Sequence, residues 1–217
     1  MRGRLLWLAA LAIGAVSVTS SGHAQHLKNE HDGYIAAKLM LGFGGEGEIE
    51  ADDLGGVGVD GEGDLEASYG IGAAFMQPLH EYFALGGQLS FLSWTSDLAE
   101  DLDFDRSTLL DLAIVPQAKY AVMDNLELYA SLPLGLTFDF FGEDDWFGAE
   151  VEDGFGFNLA LLLGVRVGLN DDFGLLGELG YAYHAFSHGT ETAIGEGPDL
   201  EISLGQLALN VGGYFQL

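Results

Sequence analysis

The sequence is short of four things: cysteine, proline, positive charge and long apolar runs. It has no Cys, four Pro and seven Lys or Arg against 34 Asp or Glu, for a formal net charge of −27. Without Cys the chain forms no disulfide, no thiolate metal site and no thiol nucleophile. A nucleic-acid partner is excluded as well, because phosphate binding requires a basic surface. Gly is abundant, with 33 residues, which suits an all-β protein with tight turns.

The first part of the chain has the features of a secretory signal. Two arginines supply a positive start, residues 5–18 form an apolar core, and small residues precede a cleavage site after Ala24. The apolar core is about 14 residues long, shorter than the roughly 20 that a transmembrane helix needs. We therefore predict a signal peptide over residues 1–24, a short periplasmic tail over 25–32 and one domain over 33–217.

Within that domain, apolar and polar side chains alternate over eight segments. In the sixth segment, for example, Leu159, Leu161 and Leu163 share one face and Asn158 lies on the other. A period of two indicates a β-strand, because successive side chains of a strand point to opposite faces. Each segment also has the roughly 9–11 residues that a tilted membrane strand needs. The predicted strands cover residues 33–44, 66–77, 82–94, 108–122, 126–140, 155–169, 173–187 and 202–217.

The connections between these segments alternate in length. Three are short and rich in Asp, Asn or Pro, the residues typical of turns. Four are long and hold 23 of the 34 acidic residues: 45–65, 95–107, 141–154 and 188–201. This alternation predicts an all-β fold, an eight-stranded antiparallel up-and-down transmembrane β-barrel with short periplasmic turns and acidic extracellular loops. A soluble β-sandwich or lipocalin also alternates, so alternation alone does not separate the two classes.

The last predicted strand carries a further indication. Asn210, Gly212, Phe215 and Leu217 have the spacing of the terminal signature of outer-membrane barrels, although Leu217 stands where Phe is commoner. Together with the eight segments, this resembles the small outer-membrane β-barrels, the group of the OmpA transmembrane domain, OmpX and OmpW. The resemblance implies an outer-membrane location, recognition of these four residues by the barrel-assembly machinery, contact with outer-membrane lipid and lipopolysaccharide, and a monomer.

Several charged residues fall on the polar faces of the predicted strands, near their periplasmic ends. The interior of an eight-stranded barrel is just filled by side chains, and a charge buried there is tolerated when it is paired. The turns place Lys119 diagonal to Glu127, and Arg166 diagonal to Glu178, within reach of long side chains. We therefore predict an ionic plug in the lumen, formed by Lys38, Lys119, Arg166, Glu127 and Glu178 with Tyr129 nearby.

The plug predicts a mostly closed barrel with a structural or surface-interaction role. The alternative is a narrow channel for ions or for small or apolar solutes. Small residues on the predicted inner faces of the second and third strands, such as Gly70, Gly72 and Gly86, favour a partial cavity and leave that alternative open.

The first long loop contains a partial calcium-type pattern. Asp60, Glu62 and Asp64 alternate with glycine in a stretch that partly matches the calcium-binding β-roll repeat, and Ca²⁺ favours clustered carboxylates. There is one copy, whereas that fold stacks several. We therefore expect no resident cofactor, with Ca²⁺ at these three residues as the candidate metal site.

A serine nucleophile requires a histidine within hydrogen-bond reach. Ser187 stands an odd number of positions from His184 and from His188, so both histidines are predicted to face away from it. We therefore predict that the protein is not an enzyme. Aromatic residues near strand ends are interpreted as interfacial girdles. They are Tyr34, Trp94, Trp146, Tyr181, Tyr183 and Phe186.

Overall fold

The structure, a computed structural model, describes residues 32–54, 57–95, 107–140, 145–146, 149–192, 195–196 and 199–217. The predicted signal peptide, almost all of the predicted tail and most of the loop 95–107 lie outside these ranges. Fourteen strands lie in the described part. They are β1 (Tyr34–Leu54), β2 (Val57–Leu65), β3 (Ser68–His80), β4 (Phe83–Trp94), β5 (Ser107–Met123), β6 (Leu126–Ser131), β7 (Leu134–Phe140), β8 (Asp145–Trp146), β9 (Ala149–Val151), β10 (Gly154–Gly168), β11 (Phe173–His188), β12 (Thr190–Thr192), β13 (Gly195–Glu196) and β14 (Leu200–Gln216).

The long strands close into a ring in which each pairs with its neighbours in the chain. Strands β6 and β7 form a single barrel strand, interrupted at Leu132 and Pro133, because both pair with β5 on one side and with β10 on the other. The order around the ring is β1, β3, β4, β5, β6 with β7, β10, β11 and β14, and β14 returns to β1. All of these pairs are antiparallel. The predicted eight-stranded up-and-down barrel is confirmed.

Over most of its height the barrel is apolar outside and polar inside. Leu39, Ile71, Leu161 and Leu163 are 60%, 59%, 57% and 66% exposed on the outer surface. Inward positions of the same strands hold buried polar side chains such as Asn158. A water-soluble barrel has the opposite arrangement, whereas a membrane barrel presents an apolar band to lipid. The choice that alternation alone left open is therefore decided by which face points outward. We call this part the membrane wall.

The structure corrects the prediction that 45–65 is an irregular loop. Strand β1 continues to Leu54 and pairs with β2 and with the first residues of β14. Gly44 has a φ of 59°, a conformation that glycine adopts readily. Between Phe43 and Glu46 the register of β1 against β14 shifts by one residue. Such a bulge reverses the direction of the side chains that follow it.

Beyond the bulge, the polarity of the barrel is reversed. We call this part, comprising residues 45–54 of β1, strand β2 and residues 200–205 of β14, together with the adjoining ends of β4, β5 and β11, the cap. Its interior is an apolar cluster of Ile49, Leu65, Leu92, Trp94, Leu109, Phe186, Leu200, Ile202 and Leu204. Its exterior carries acids, of which Glu46, Glu48, Glu50, Glu62, Asp64 and Glu201 are exposed. The cap lies at the end of the long connections, which is the extracellular end in outer-membrane barrels.

Three of the aromatic residues interpreted as girdles face the interior instead. Tyr34, Trp94 and Phe186 are 4%, 5% and 4% exposed. Trp94 and Phe186 pack edge to face in the cap, with ring centroids 6.1 Å apart. Tyr181 lies on the outer surface and is 50% exposed, as a girdle residue should be. A position near the end of a strand therefore does not by itself identify a girdle residue. Whether the residue stands at an inward or an outward position of the alternation decides which side of the barrel its ring faces.

Short strands complete the long-connection end. Strands β13, β12, β9 and β8 pair in that order as a separate small sheet. Parts of the predicted loops 141–154 and 188–201 are therefore strand. None of the described residues forms a helix that is long and apolar enough to cross a membrane.

Candidate functional site: the polar lumen

The lumen at the short-turn end is occupied by two groups of ion pairs. In the first group, Lys38 Nζ lies 2.9 Å from Glu178 Oε2 and also donates to Gln88 Oε1 at 3.0 Å. The carboxylate of Glu178 accepts two more hydrogen bonds, from Tyr129 Oη at 2.9 Å and from Asn210 Nδ2 at 2.9 Å. The side chains of Lys38 and Glu178 are only 6% and 2% exposed. The pair is therefore buried and supported by hydrogen bonds, the condition for tolerating charge inside a protein.

The second group is centred on Glu127. Arg166 Nη2 donates to Glu127 Oε1, and Lys119 Nζ lies 3.6 Å from Glu127 Oε2. The guanidinium of Arg166 also lies 4.0 Å from the centre of the Tyr34 ring and 5.2 Å from that of Tyr214. A cation over an aromatic face is attracted by the ring electrons. One carboxylate thus pairs with two cations, and two tyrosine rings cover Arg166.

The structure brings all six residues of the predicted plug to the same end of the lumen, with one difference in pairing. Arg166 lies directly opposite Glu127 across β10 and β6 and bonds to it. The sequence had placed Arg166 diagonal to Glu178, which instead pairs with Lys38. Lys38 and Glu178 belong to β1 and β11, which β14 separates. A contact across the lumen depends on barrel curvature, and the order of neighbouring strands does not reveal it.

Glycine permits the close packing of this group. A Cβ at Gly164 would lie 2.2 Å from Cζ of the Tyr129 ring. The two residues are cross-strand partners in β10 and β6, and Tyr129 lies flat over the position that a side chain would take. A larger residue at Gly164 would displace the ring that donates to Glu178.

A second polar layer lies deeper in the lumen, and the sequence analysis did not find it. Asp111 Oδ1 accepts from Thr137 Oγ1 at 2.7 Å and from Asn158 Nδ2 at 3.2 Å. Asp111 Oδ2 lies 3.2 Å from His184 Nε2. All four residues are buried. The alternation of the sequence could have indicated this layer, because all four residues lie on the predicted polar faces of their strands.

A second aspartate–histidine pair lies beside the apolar interior of the cap. Asp139 Oδ2 is 3.2 Å from His188 Nε2, and Asp139 Oδ1 accepts from Trp94 Nε1 at 3.3 Å. His188 Nδ1 is 2.7 Å from the carbonyl oxygen of Glu152. Both members of the pair are 0% exposed. In the described part of the chain, the carboxylates of this half of the lumen are thus paired with histidine rather than with Lys or Arg.

Three residues of the terminal signature lie on the two faces of β14, and Leu217 follows the strand. Asn210 points into the lumen, is 1% exposed and donates to Glu178. A Cβ at Gly212 would lie 2.1 Å from the carbonyl oxygen of Ala37 on β1. Phe215 and Leu217 are 53% and 56% exposed. The first two residues therefore serve the packing of the lumen and of the strand pair, and the last two are available at the surface.

The candidate calcium residues lie on β2, opposite acids of β1. The register pairs Asp64 with Glu46, Glu62 with Glu48, and Asp60 with Glu50. The side chains of Glu62 and Asp64 are exposed, and that of Asp60 lies outside the description. Among the described side chains, no three His, Asp or Glu are arranged to hold a metal ion. The geometry is an open ladder of like charges.

Comparison with solved structures identifies the fold. The backbone is similar to that of the outer membrane protein OprG from Pseudomonas aeruginosa, with a TM-score of 0.64 and 12% identity over 90% of this chain and 99% of that chain. It is also similar to outer membrane protein AlkL in lipid bilayers, with a TM-score of 0.55 and 12% identity over 92% of this chain and 94% of that one. This chain has the fold of the small outer-membrane β-barrels. No family model matches the sequence, and no curated protein matches it.

Proposed function

We propose that this protein is an outer-membrane β-barrel with a lumen closed by ion pairs and an acidic extracellular cap, and that it has a structural or surface-interaction role. The observation that carries the proposal is the layered filling of the lumen. The ion pairs of Glu178 and of Glu127 occupy the short-turn end, and an apolar cluster occupies the cap. A second apolar cluster, which includes Tyr34, Met76 and Tyr214, adjoins the ion pairs. A solute crossing the barrel would have to displace all of them.

Conductance of the whole protein in planar bilayers tests this proposal. The intact barrel is expected to give no stable conductance steps. Lys119→Ala and Arg166→Ala each leave part of the Glu127 charge unpaired, so both variants are expected to leak or to unfold more readily. Glu81→Gln, at an exposed turn residue, is the matched control. Steady ion-conducting steps from the intact protein would favour the narrow-channel alternative. Variants indistinguishable from the intact protein in closure and in stability would contradict the plug.

The surroundings of the protein belong to the same proposal. The apolar membrane wall supports contact with outer-membrane lipid and lipopolysaccharide. The protein is proposed to be a monomer. The surface exposure of Phe215 and Leu217 supports their recognition by the barrel-assembly machinery. Membrane fractionation of expressing cells tests the location. Phe215→Ala is expected to reduce the yield of folded protein more than Phe157→Ala, which removes a similarly exposed ring from the same outer surface.

A non-catalytic role is also part of the proposal. Ser187 is exposed on the outer surface, whereas His184 and His188 are buried in the lumen. These positions support the absence of a serine nucleophile with its base. Mass spectrometry of lipid A from cells that express the protein is the test. A new acylated or deacylated species, missing from the empty-vector control, would overturn this part of the proposal.

For the acidic cap we propose that Ca²⁺ acts by screening, rather than by filling a preformed cage. Three facing acid pairs on β1 and β2 support this, because like charges directly opposite on a sheet destabilise it. Calorimetric titration of the whole protein with Ca²⁺ tests it. The absence of heat, together with unchanged stability in Ca²⁺, would end this idea.

A further inference from the structure

A small cavity lies in the middle of the lumen, between the Lys38–Glu178 pair and the Asp111–His184 pair. Its volume is about 40 Å³. Gln88 and Asn210, which bond to the first pair, line one part of it, and Asp111 and His184 line another. A cavity of this kind needs about 10–15 Å³ to hold one water molecule. The space therefore suits a cluster of about three.

Three polar atoms on residues that line this cavity lack a hydrogen-bond partner among the described residues. They are Ser90 Oγ, His184 Nδ1 and Asn210 Oδ1. Their residues are only 1%, 4% and 1% exposed. A buried polar atom without a partner is destabilising, and folded proteins satisfy such atoms by protein groups or by ordered water. Three such atoms around one cavity indicate a ligand that bonds to all of them.

The chemistry of these atoms defines that ligand. Asn210 Nδ2 donates to Glu178, so Asn210 Oδ1 is the acceptor of that amide. His184 Nε2 faces the carboxylate of Asp111, which accepts hydrogen bonds when it is ionised. In a neutral ring Nε2 must then carry the proton, and Nδ1 is an acceptor. The hydroxyl of Ser90 both donates and accepts. The site thus requires a small hydrogen-bond donor. An apolar molecule is excluded by the polar atoms, and an anion by the carboxylate of Asp111.

We propose that this cavity is a binding site for a cluster of about three water molecules, held by Ser90, His184 and Asn210. The cluster joins the two polar layers of the lumen. Asn210 already donates to Glu178, and His184 already contacts Asp111. Water between Asn210 and His184 completes one hydrogen-bonded network from the ion pairs at the short-turn end to the layer below the cap. The lumen is then hydrated inside and closed at both ends.

Nuclear magnetic resonance of the whole protein in lipid nanodiscs, labelled with ¹⁵N-histidine, tests the site. His184 is expected to be the tautomer protonated at Nε2, with a magnetisation-transfer peak from long-lived water to its ring. Ala208, 7% exposed and on the cavity lining, is changed to Leu to fill the space. Ala208→Leu is expected to abolish the water peak. Ala37→Leu, which adds the same atoms on the exposed outer surface, is expected to retain it.

A high-resolution crystal structure of the unmodified protein decides the question independently of any variant. Water density within hydrogen-bond distance of Ser90, His184 and Asn210 supports the proposal. An empty cavity, or the three atoms paired with other side chains, would overturn it. Crystals soaked in a thallium salt add a second test. An anomalous peak in the cavity would show that a monovalent cation occupies it, and this would overturn the assignment to water. A water peak to His184 that survives in Ala208→Leu would also overturn the assignment.

Discussion

In the membrane wall, outward side chains are apolar and inward side chains are polar, whereas in the cap both are reversed. Strand β14 shows the change without a break in its register against β11. Its inward residues pass from Leu200, Ile202 and Leu204 to Gln206 and Asn210. Its neighbour β1 makes the same change through the bulge at Gly44. A single barrel thus has the interior of a membrane protein in one half and that of a soluble protein in the other. The solvent outside each half, lipid or water, accounts for the difference.

The strongest test of the wall is to remove a charge from its interior. Glu127→Gln leaves Arg166 and Lys119 buried beside a neutral group. Breaking a buried ion pair by removing one partner costs about 3–5 kcal/mol, so the free energy of unfolding in lipid is expected to fall by that amount. Urea titration of the refolded protein measures it, with Glu81→Gln as the exposed control. A loss no larger than that of the control would show that the lumen charges do not depend on one another.

The cap should instead depend on apolar packing. Ile202→Ala creates a cavity in its buried cluster, and such truncations cost about 2–5 kcal/mol. Hydrogen exchange of the amides of β1 beyond Gly44 is expected to accelerate. Leu207→Ala, on the outward face of the same strand and 45% exposed, should leave those amides protected. Equal exchange in the two variants would mean that the apolar cluster does not hold the cap together.

A charged side chain on the outer surface of the barrel should have a different cost in the membrane wall and in the cap. Leu161→Arg, near the middle of the lipid-facing surface of β10, is expected to cost about 2–4 kcal/mol. The same side chain at Ser203, on the outside of the cap and opposite Glu48, should cost little or should stabilise the fold. Unfolding titrations of both variants in lipid vesicles make the comparison. Equal costs at the two positions would show that the membrane boundary does not lie between them.

The smallest expected effect is at the acid ladder. Glu62→Gln removes one of two facing carboxylates on β1 and β2. Relief of that repulsion is expected to stabilise the cap by less than about 1 kcal/mol. The gain should shrink as salt or Ca²⁺ rises, because added ions screen exposed charges. Thermal unfolding over a salt series is the measurement, and a gain that is the same at all salt concentrations would argue against repulsion.

Strict alternation made most of the wall predictable. The two faces of the barrel strand from Leu126 to Phe140 follow directly from parity, and parity placed Lys119, Glu127 and Arg166 inside. The turns at 123–125 and 170–172 were equally clear, because Asp and Asn are concentrated there. Local pattern was sufficient wherever the structure depends on neighbours in one strand or across one turn.

The cap was missed for the opposite reason. Its strands are rich in Gly and in acidic residues, a composition that is typical of solvated loops. Glu46, Glu48 and Glu50 do alternate with Gly47 and Ile49, and that alternation was the available signal. Apolar residues stay at odd-numbered positions and charged residues at even-numbered positions on both sides of Gly44, so the sequence pattern does not show that the bulge turns the side chains over. The contact of Lys38 with Glu178 was out of reach altogether, because it crosses the lumen between strands that are not paired.

The shift at Gly44 has a consequence for how the protein can vary. It confines the change of side-chain direction in β1 to one short stretch, and the register of residues 34–42 is unbroken against both neighbouring strands. The first hairpin can therefore be lengthened or shortened by one residue on each strand, or can accept a grafted sequence. In either case the lipid-embedded part of β1 keeps its register. The hairpin is a natural position for displaying foreign peptides on a cell.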